Sequence, residues 1–194
     1  MIVDYLSLRQ TVAKYIHRND LDDMFDIFMQ SATVRINQSL RCSEMEARAN
    51  TVISKNFVML PEDCLEIRTV QIGDRGPMRF NTLQELDYDS GQTPKFSIFD
   101  NQLEIRPEVP DDTEIEIVYY AGVSPLVEDT DSNCIMDKYP FVYLYACMLE
   151  ATLYIQDDVR IQIWMEALVR KFDTINGRTR DRQYAGAPMK VEAR

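Results

Sequence analysis

The segment PFVYLYACMLEATLYI, residues 140–155, has the composition of a helix that other elements enclose. It carries one charge, Glu150, and its apolar residues fall on every side of a helical projection, which is typical of a buried helix. Pro140 fits the first helical turn, where its missing N–H leaves no donor unpaired. At about 1.5 Å per residue the helix would be ~24 Å long, shorter than the roughly 30 Å hydrocarbon core of a membrane. We therefore expect a core helix rather than a membrane span.

Helical periodicity on both sides of this segment predicts the other helices of the core. Asp4 and Asp20 are suitable N-caps for a first and a second helix, in which apolar residues recur every three or four positions. Ser43 and Glu46 have capping-box spacing, which predicts a short third helix. A final helix is predicted from about residue 158 to residue 176, with an inward stripe of Ile161, Trp164, Met165, Leu168 and Phe172 and with Gly177 as its C-terminal stop.

Between these helices the period changes to the alternation of β-strands. Residues 57–60, 67–72 and 114–120 are predicted as strands, and residues 95–99 and 102–106 as a hairpin. Asp100 and Asn101 tolerate the left-handed backbone that its two-residue turn requires. Phe96 and Ile98 are expected on one face of the hairpin.

The predicted class is α+β: a helical bundle core with an inserted small antiparallel β-sheet and an extended C-terminal arm. The predicted bounds are 1–49 for the N-terminal helices, 50–125 for the β-rich insertion, 126–177 for the C-terminal helices and 178–194 for the arm.

The charge of the 194-residue chain is uneven. The net charge is −11, and because residues 178–194 carry five basic and two acidic residues, the remaining 177 residues carry −14. An acidic body disfavours a protein that grips nucleic acid by neutralising phosphates. The N-terminus lacks the basic and apolar pattern of a secretory signal, so synthesis in the cytoplasm is expected.

The residue types that build metal and catalytic sites form no pattern here. The four cysteines lack CxxC spacing and His17 is the only histidine, so no metal, cofactor or zinc site is predicted. Asp129, Asp131 and Asn133 have the first spacings of a calcium loop, but Cys134 stands where that loop needs Gly. No P-loop, GxSxG, dinucleotide fingerprint or HExxH occurs, so no enzyme is predicted. His17 is interpreted as a surface or capping residue.

The basic end of the chain has three interpretations. It is a frayed terminus, an arm that binds carboxylates and apolar pockets of a neighbouring subunit or partner, or a nucleic-acid-binding tail. The arm hypothesis assigns binding of a neighbouring subunit or of an acidic partner to Arg178, Arg180, Arg182, Tyr184, Pro188, Met189 and Lys190.

Segments spread in order over nearly the whole chain carry a family resemblance. They are INQSLRCSEMEARA (residues 36–49), LPEDCLE (60–66), GPMRF (76–80), YPFVYLY (139–145) with LEA (149–151), and YAGAPM (184–189). The chain resembles the head-to-tail adaptor, or connector, proteins of tailed bacteriophages, especially those of short-tailed phages.

The resemblance implies a structural virion protein without enzymatic activity. It implies a dodecameric ring in the head-tail neck, between the portal protein and a tail or nozzle protein, that extends the DNA channel, lets DNA pass without specific binding and offers the tail its attachment surface. Assembly is then expected in the host cytoplasm. The alternative left open is a DNA-packaging accessory protein that binds nucleic acid through its basic C-terminal tail.

Overall fold

The computed structural model describes residues 1–18, 20–73, 76–88 and 91–184. The chain forms two compact units, which we call the helical unit (Met1–Met45 and Val123–Arg194) and the β-rich unit (Glu46–Gly122). The predicted α+β class is confirmed. In chain order the elements are α1 (Tyr5–Ile16), α2 (Phe25–Ser39), β1 (Glu46–Val52), β2 (Phe57–Met59), β3 (Cys64–Ile72), β4 (Arg79–Phe80), α3 (Leu83–Tyr88), β5 (Lys95–Phe99), β6 (Gln102–Arg106), β7 (Glu114–Ala121), α4 (Cys134–Lys138), α5 (Pro140–Tyr154) and α6 (Asp158–Tyr184).

Side-chain caps fix the starts of two helices in the helical unit. Asp4 accepts a hydrogen bond from the Ser7 amide at 2.8 Å, and Ser7 Oγ accepts one from the Asp4 amide at 3.1 Å, which completes a capping box for α1. Asn133 Oδ1 accepts from the amides of Ile135 and Met136 at the start of α4. His17 has a left-handed backbone, φ 58°, at the C-terminal end of α1, so it is an exposed capping residue as predicted.

Helix α5 is the core of the helical unit, and it packs against α1, α2, α4 and α6. Its one charge is paired, because Arg35 of α2 donates to Glu150 Oε1 from Nε at 3.0 Å and from Nη2 at 2.5 Å. Enclosure is incomplete, since Phe141 is 51% exposed. The buried residues of α5 are Val142, Tyr143, Leu144, Ala146, Cys147, Met148, Leu149, Ala151 and Thr152.

The β-rich unit contains two sheets where one antiparallel sheet was predicted. One has the order β1-β7-β3 and is antiparallel, and the other has the order β2-β6-β5-β4, in which β4 and β5 run parallel. The predicted β5–β6 hairpin is confirmed, and Asp100 takes the left-handed backbone at its turn, φ 54°. Phe96 is buried, but Ile98 is 41% exposed and Ser97 is buried, so burial along β5 does not follow the alternation of the sequence.

The prediction of a third helix at residue 43 is wrong. Ser43–Met45 makes a single 3-10 turn, and Glu46 begins strand β1, paired with Tyr120 of β7. The Glu46 carboxylate binds Arg68 across the sheet at 2.5 Å rather than capping a helix. Residues 46–49 therefore belong to the β-rich unit, which begins at Glu46 and ends at Gly122, where residues 50–125 were predicted.

The prediction that the final helix stops at Gly177 is also wrong. Helix α6 continues to Tyr184, so the first seven residues of the predicted extended arm are helical. Thr179 is 5% exposed and packs into the helical unit, which holds the helix together beyond the glycine. On the inward stripe Leu168 and Phe172 are buried as predicted, whereas Met165 is 45% exposed and Ile175 takes a buried place.

Candidate assembly surface

The last turns of α6 carry the three arginines assigned to the arm. Arg178 and Arg180 are exposed, and neither has a carboxylate partner within the described part of the chain. Arg182 turns back to its own unit: Nη1 donates to Ser43 Oγ at 3.1 Å and lies 4.0 Å from Glu44 Oε1. The helix therefore fixes the positions of Arg178 and Arg180. The contacts of Arg182 with Ser43 and Glu44 hold the end of the helix against its own unit.

The other residues assigned to the arm lie at or beyond the end of the described chain. Tyr184 is the last residue of α6. Pro188, Met189 and Lys190 lie outside the described residues. Their binding role stays a prediction.

Glu44 is the carboxylate on which the end of α6 and the end of α4 meet. Its side chain is 13% exposed, Lys138 binds Oε1, and the Tyr139 hydroxyl donates to Oε2 at 3.3 Å. Burial would raise the pKa of Glu44, but the hydrogen bonds from Lys138 and from Cys42 and Ser43 outweigh it and lower the pKa to about 2. Nothing in the sequence pattern singled out this residue among 32 acids.

A cluster of aromatic rings crosses from α1 to α5 and α6. The Tyr145 and Trp164 rings stack with centroids 5.9 Å apart, and Tyr15 meets Trp164 edge-on at 6.2 Å. Phe141 adjoins Tyr145 at 6.1 Å. Tyr15 and Phe141 are each about half exposed, so the cluster reaches the surface.

Cations line the same side of α6. The Lys171 ammonium lies 5.9 Å from the centre of the Phe141 ring, a cation–π distance. Trp164, Lys171 and Arg178 follow one another at intervals of seven residues, so they form one stripe along the helix. We call Tyr15, Phe141, Tyr145, Trp164, Lys171 and Arg178 the aromatic–cationic face. The seven-residue spacing was present in the sequence, but Trp164 was interpreted as a core residue and Arg178 as part of the arm, so the stripe was not recognised.

A second surface lies on α2 and the 3-10 turn that precedes it. Asp22, Asp23 and Asp26 are exposed there, and Asp26 accepts a hydrogen bond from the Tyr5 hydroxyl. Ile27 and Val34 are 52% and 55% exposed on the same helix. We call these five residues the acidic–aliphatic face.

The acidic loop before α4 is held by its own backbone contacts. Asp131 Oδ2 accepts hydrogen bonds from the amides of Val127 at 3.0 Å and Glu128 at 2.9 Å, which lower its pKa. Asn133, the third residue of the calcium-like spacing, caps α4. Within residues 1–18, 20–73, 76–88 and 91–184, no group of three or more His, Cys, Asp or Glu could hold a metal ion.

The cysteines are free thiols. Burial raises the pKa of Cys42 to about 12, and it also raises the pKa of Cys147, which is fully enclosed in α5. Thiols with raised pKa are poor nucleophiles, so these residues act as packing groups. In the same described ranges, no helix combines the length and apolar character that crossing a membrane requires.

Comparison with known proteins gives one family and no curated relative. The sequence model described as SU10 adaptor protein matches residues 3–192. No curated protein matches the chain. The family match confirms the resemblance to bacteriophage head-tail adaptors without specifying the short-tailed type, and this class of protein is structural rather than enzymatic. The chain therefore belongs to the SU10 adaptor protein family, and its role is that of a structural adaptor in the neck of a bacteriophage virion.

Proposed function

We propose that this adaptor assembles as a ring of twelve copies between the portal and the tail. The ring extends the DNA channel and provides the surface to which the tail or nozzle protein attaches. The subunits are synthesised in the host cytoplasm and assemble there. The family match supports the general role of a structural adaptor. A ring is the form in which an adaptor of this kind joins two coaxial assemblies.

The C-terminal arm is proposed to hold the ring on its partner. One observation supports it: α6 runs to Tyr184 with its last turn bound to Ser43 and Glu44, so the helix that precedes residues 185–194 is anchored on the helical unit. Arg178 and Arg180 present charge near the end of that helix without a carboxylate partner among the described residues. Residues 188–190 add a proline, a methionine and a lysine that can fill a pocket and bind an acid on the portal.

A truncation tests the arm. Removal of residues 185–194 spares Thr179 and Arg182, which stabilise the helical unit, whereas removal from residue 178 would delete them. We expect the shorter deletion to keep the circular dichroism spectrum of the full chain and to lose attachment to cognate portal rings in electron micrographs and sedimentation. Attachment equal to that of the full chain would refute the arm.

A DNA-retention assay separates the proposal from a DNA-packaging accessory role. An adaptor ring should bind a DNA duplex weakly at physiological salt, because its body is acidic. Steep salt-dependent retention of a duplex, abolished by Arg178→Ala with Arg180→Ala, would favour the accessory role instead.

A further inference from the structure

The aromatic–cationic and acidic–aliphatic faces lie on opposite sides of α5. Phe141 and Glu150 are nine residues apart, which is about 900° or two and a half turns of helix. Lys171 of α6 lies over Phe141, whereas Arg35 of α2 binds Glu150. The outer surfaces of α6 and α2 therefore belong to two opposite flanks of the helical unit.

The two flanks are complementary in charge, and each also exposes apolar side chains. One offers exposed rings with the cations of Lys171 and Arg178, and neither cation has a carboxylate partner in the described ranges. The other offers the exposed aliphatic side chains of Ile27 and Val34 beside three aspartates. The positive end of the α2 dipole accounts for the aspartates, but it does not account for the two exposed aliphatic residues beside them.

The spacings along the two helices also correspond. On α6, Lys171 and Arg178 lie ~10 and ~21 Å beyond Trp164 along the axis. Asp23, in the 3-10 turn before α2, lies ~17 Å from Val34 along the axis, at about 1.5 Å per α-helical residue and about 2.0 Å per 3-10 residue. An antiparallel pairing that sets Val34 against Trp164 therefore brings Asp23 between the levels of the two cations.

We propose that these flanks bind each other between neighbouring copies of this chain: the aromatic–cationic face of one subunit packs on the acidic–aliphatic face of the next. Such a contact is heterologous, since different surfaces meet, and repeated heterologous contacts close into a ring when the rotation between copies allows it. The inference rests on the proposed ring and names the interface that would build it. Exposed aromatic residues beside unpaired charges are the groups that contribute most in such interfaces.

Charge reversal tests the pairing. Variant A carries Lys171→Glu and Arg178→Glu, and variant B carries Asp22→Lys and Asp23→Lys. In either variant alone, like charges meet at every contact, so we expect association at least about tenfold weaker in sedimentation velocity and the loss of rings on cognate portal particles. The combined quadruple variant, and an equimolar mixture of A with B, restore opposite charges at each contact and should restore assembly.

A control variant changes the net charge by the same amount at positions outside the two faces. Lys55→Glu with Arg79→Glu alters two exposed cations of the β-rich unit and shifts the net charge as variant A does. It should assemble as the unaltered chain does. Each variant is first compared with the unaltered chain by circular dichroism and thermal unfolding, so that a folding defect is separated from an assembly defect.

The outcomes separate the interface from the ring itself. If the unaltered chain forms rings and variants A and B form them equally well, the interface is refuted and the ring stands. Failure of a folded quadruple variant to recover assembly also refutes the pairing. If the unaltered chain shows no association of copies, either alone or on portal particles, both the ring and its interface are refuted.

Discussion

The helical and β-rich units differ in how they treat their charged side chains. In the β-rich unit, Arg48 of β1 binds Glu116 of the adjacent β7, and Arg68 of β3 binds Glu46 of β1 across the intervening β7. In the helical unit, Lys171 and Arg178 face outward without a carboxylate partner among the described residues. A sheet brings opposite charges together on adjacent strands, whereas a helix on the outside of a bundle presents its outer face to whatever binds next. The two cations of α6 form one stripe with exposed aromatic rings, and this stripe is a surface that we propose for assembly.

The two units should also lose stability separately when their cores are cut. Leu149 of α5 is 0% exposed and Leu153 of the same helix is 43% exposed. We expect Leu149→Ala to lower the free energy of unfolding by about 2–5 kcal/mol, and Leu153→Ala, the matched control, by less than about 1 kcal/mol. Urea unfolding followed by circular dichroism measures both.

Amide hydrogen exchange shows which elements lose stability in each variant. Leu149→Ala should raise amide exchange in α2, α5 and α6, whereas Ile117→Ala, which removes a side chain at 0% exposure from β7, should raise it in β1, β3 and β7. Equal acceleration in both units from either substitution would show that their stabilities are coupled and would contradict the expectation that the units lose stability separately.

A smaller change in the free energy of unfolding is expected at Glu44, a residue of the helical unit whose contribution depends on pH. Its pKa is lowered from 4.5 to about 2 in the folded chain, so its contribution is complete above pH ~4.5 and is lost as the pH falls toward 2. Because Lys138 and Arg182 are half exposed or more, Glu44→Gln should cost only about 1 kcal/mol at pH 7.

Measuring the free energy of unfolding at a series of pH values checks the direction of this effect. Stability of the unaltered chain should fall more steeply between pH 5 and pH 2.5 than that of Glu44→Gln, and the two curves should converge at the acid end. Glu62→Gln, at an exposed position of the β-rich unit, is the control. Parallel curves for Glu44→Gln and the unaltered chain would contradict the role given to this carboxylate.

The smallest expected changes in stability come from replacing two glycines, one in each unit. A Cβ at Gly177 meets no atom within 4 Å and its φ is not positive, so Gly177→Ala should stabilise α6 by about 0.5–1 kcal/mol. Gly73 in the β-rich unit has φ +48°, so Gly73→Ala should destabilise by about 1 kcal/mol although space is available. Thermal unfolding of the pair measures the opposite signs, and an unstable Gly177→Ala would show that α6 requires the glycine.

Local patterns in the sequence predicted much of the fold. The composition of residues 140–155 predicted α5, and the alternation around Asp100 and Asn101 predicted the β5–β6 hairpin. These elements depend on periodicity and turn chemistry, which neighbouring residues set. The end of α6 was missed because Gly177 has the identity of a helix stop, and because the bond from Arg182 to Ser43 beyond it joins residues distant in the chain.

The sequence by itself determined the α+β class, the enclosed central helix, the acidic body with a basic end, and the resemblance to the adaptor family. Only the tertiary structure decided that Arg182 is held by Ser43 and Glu44, that Lys171 lies over Phe141, and that the two charged flanks oppose each other across α5. Periodicity records which face of an element is apolar. It does not record which distant segment covers that face, and this choice sets the surfaces that remain open for assembly.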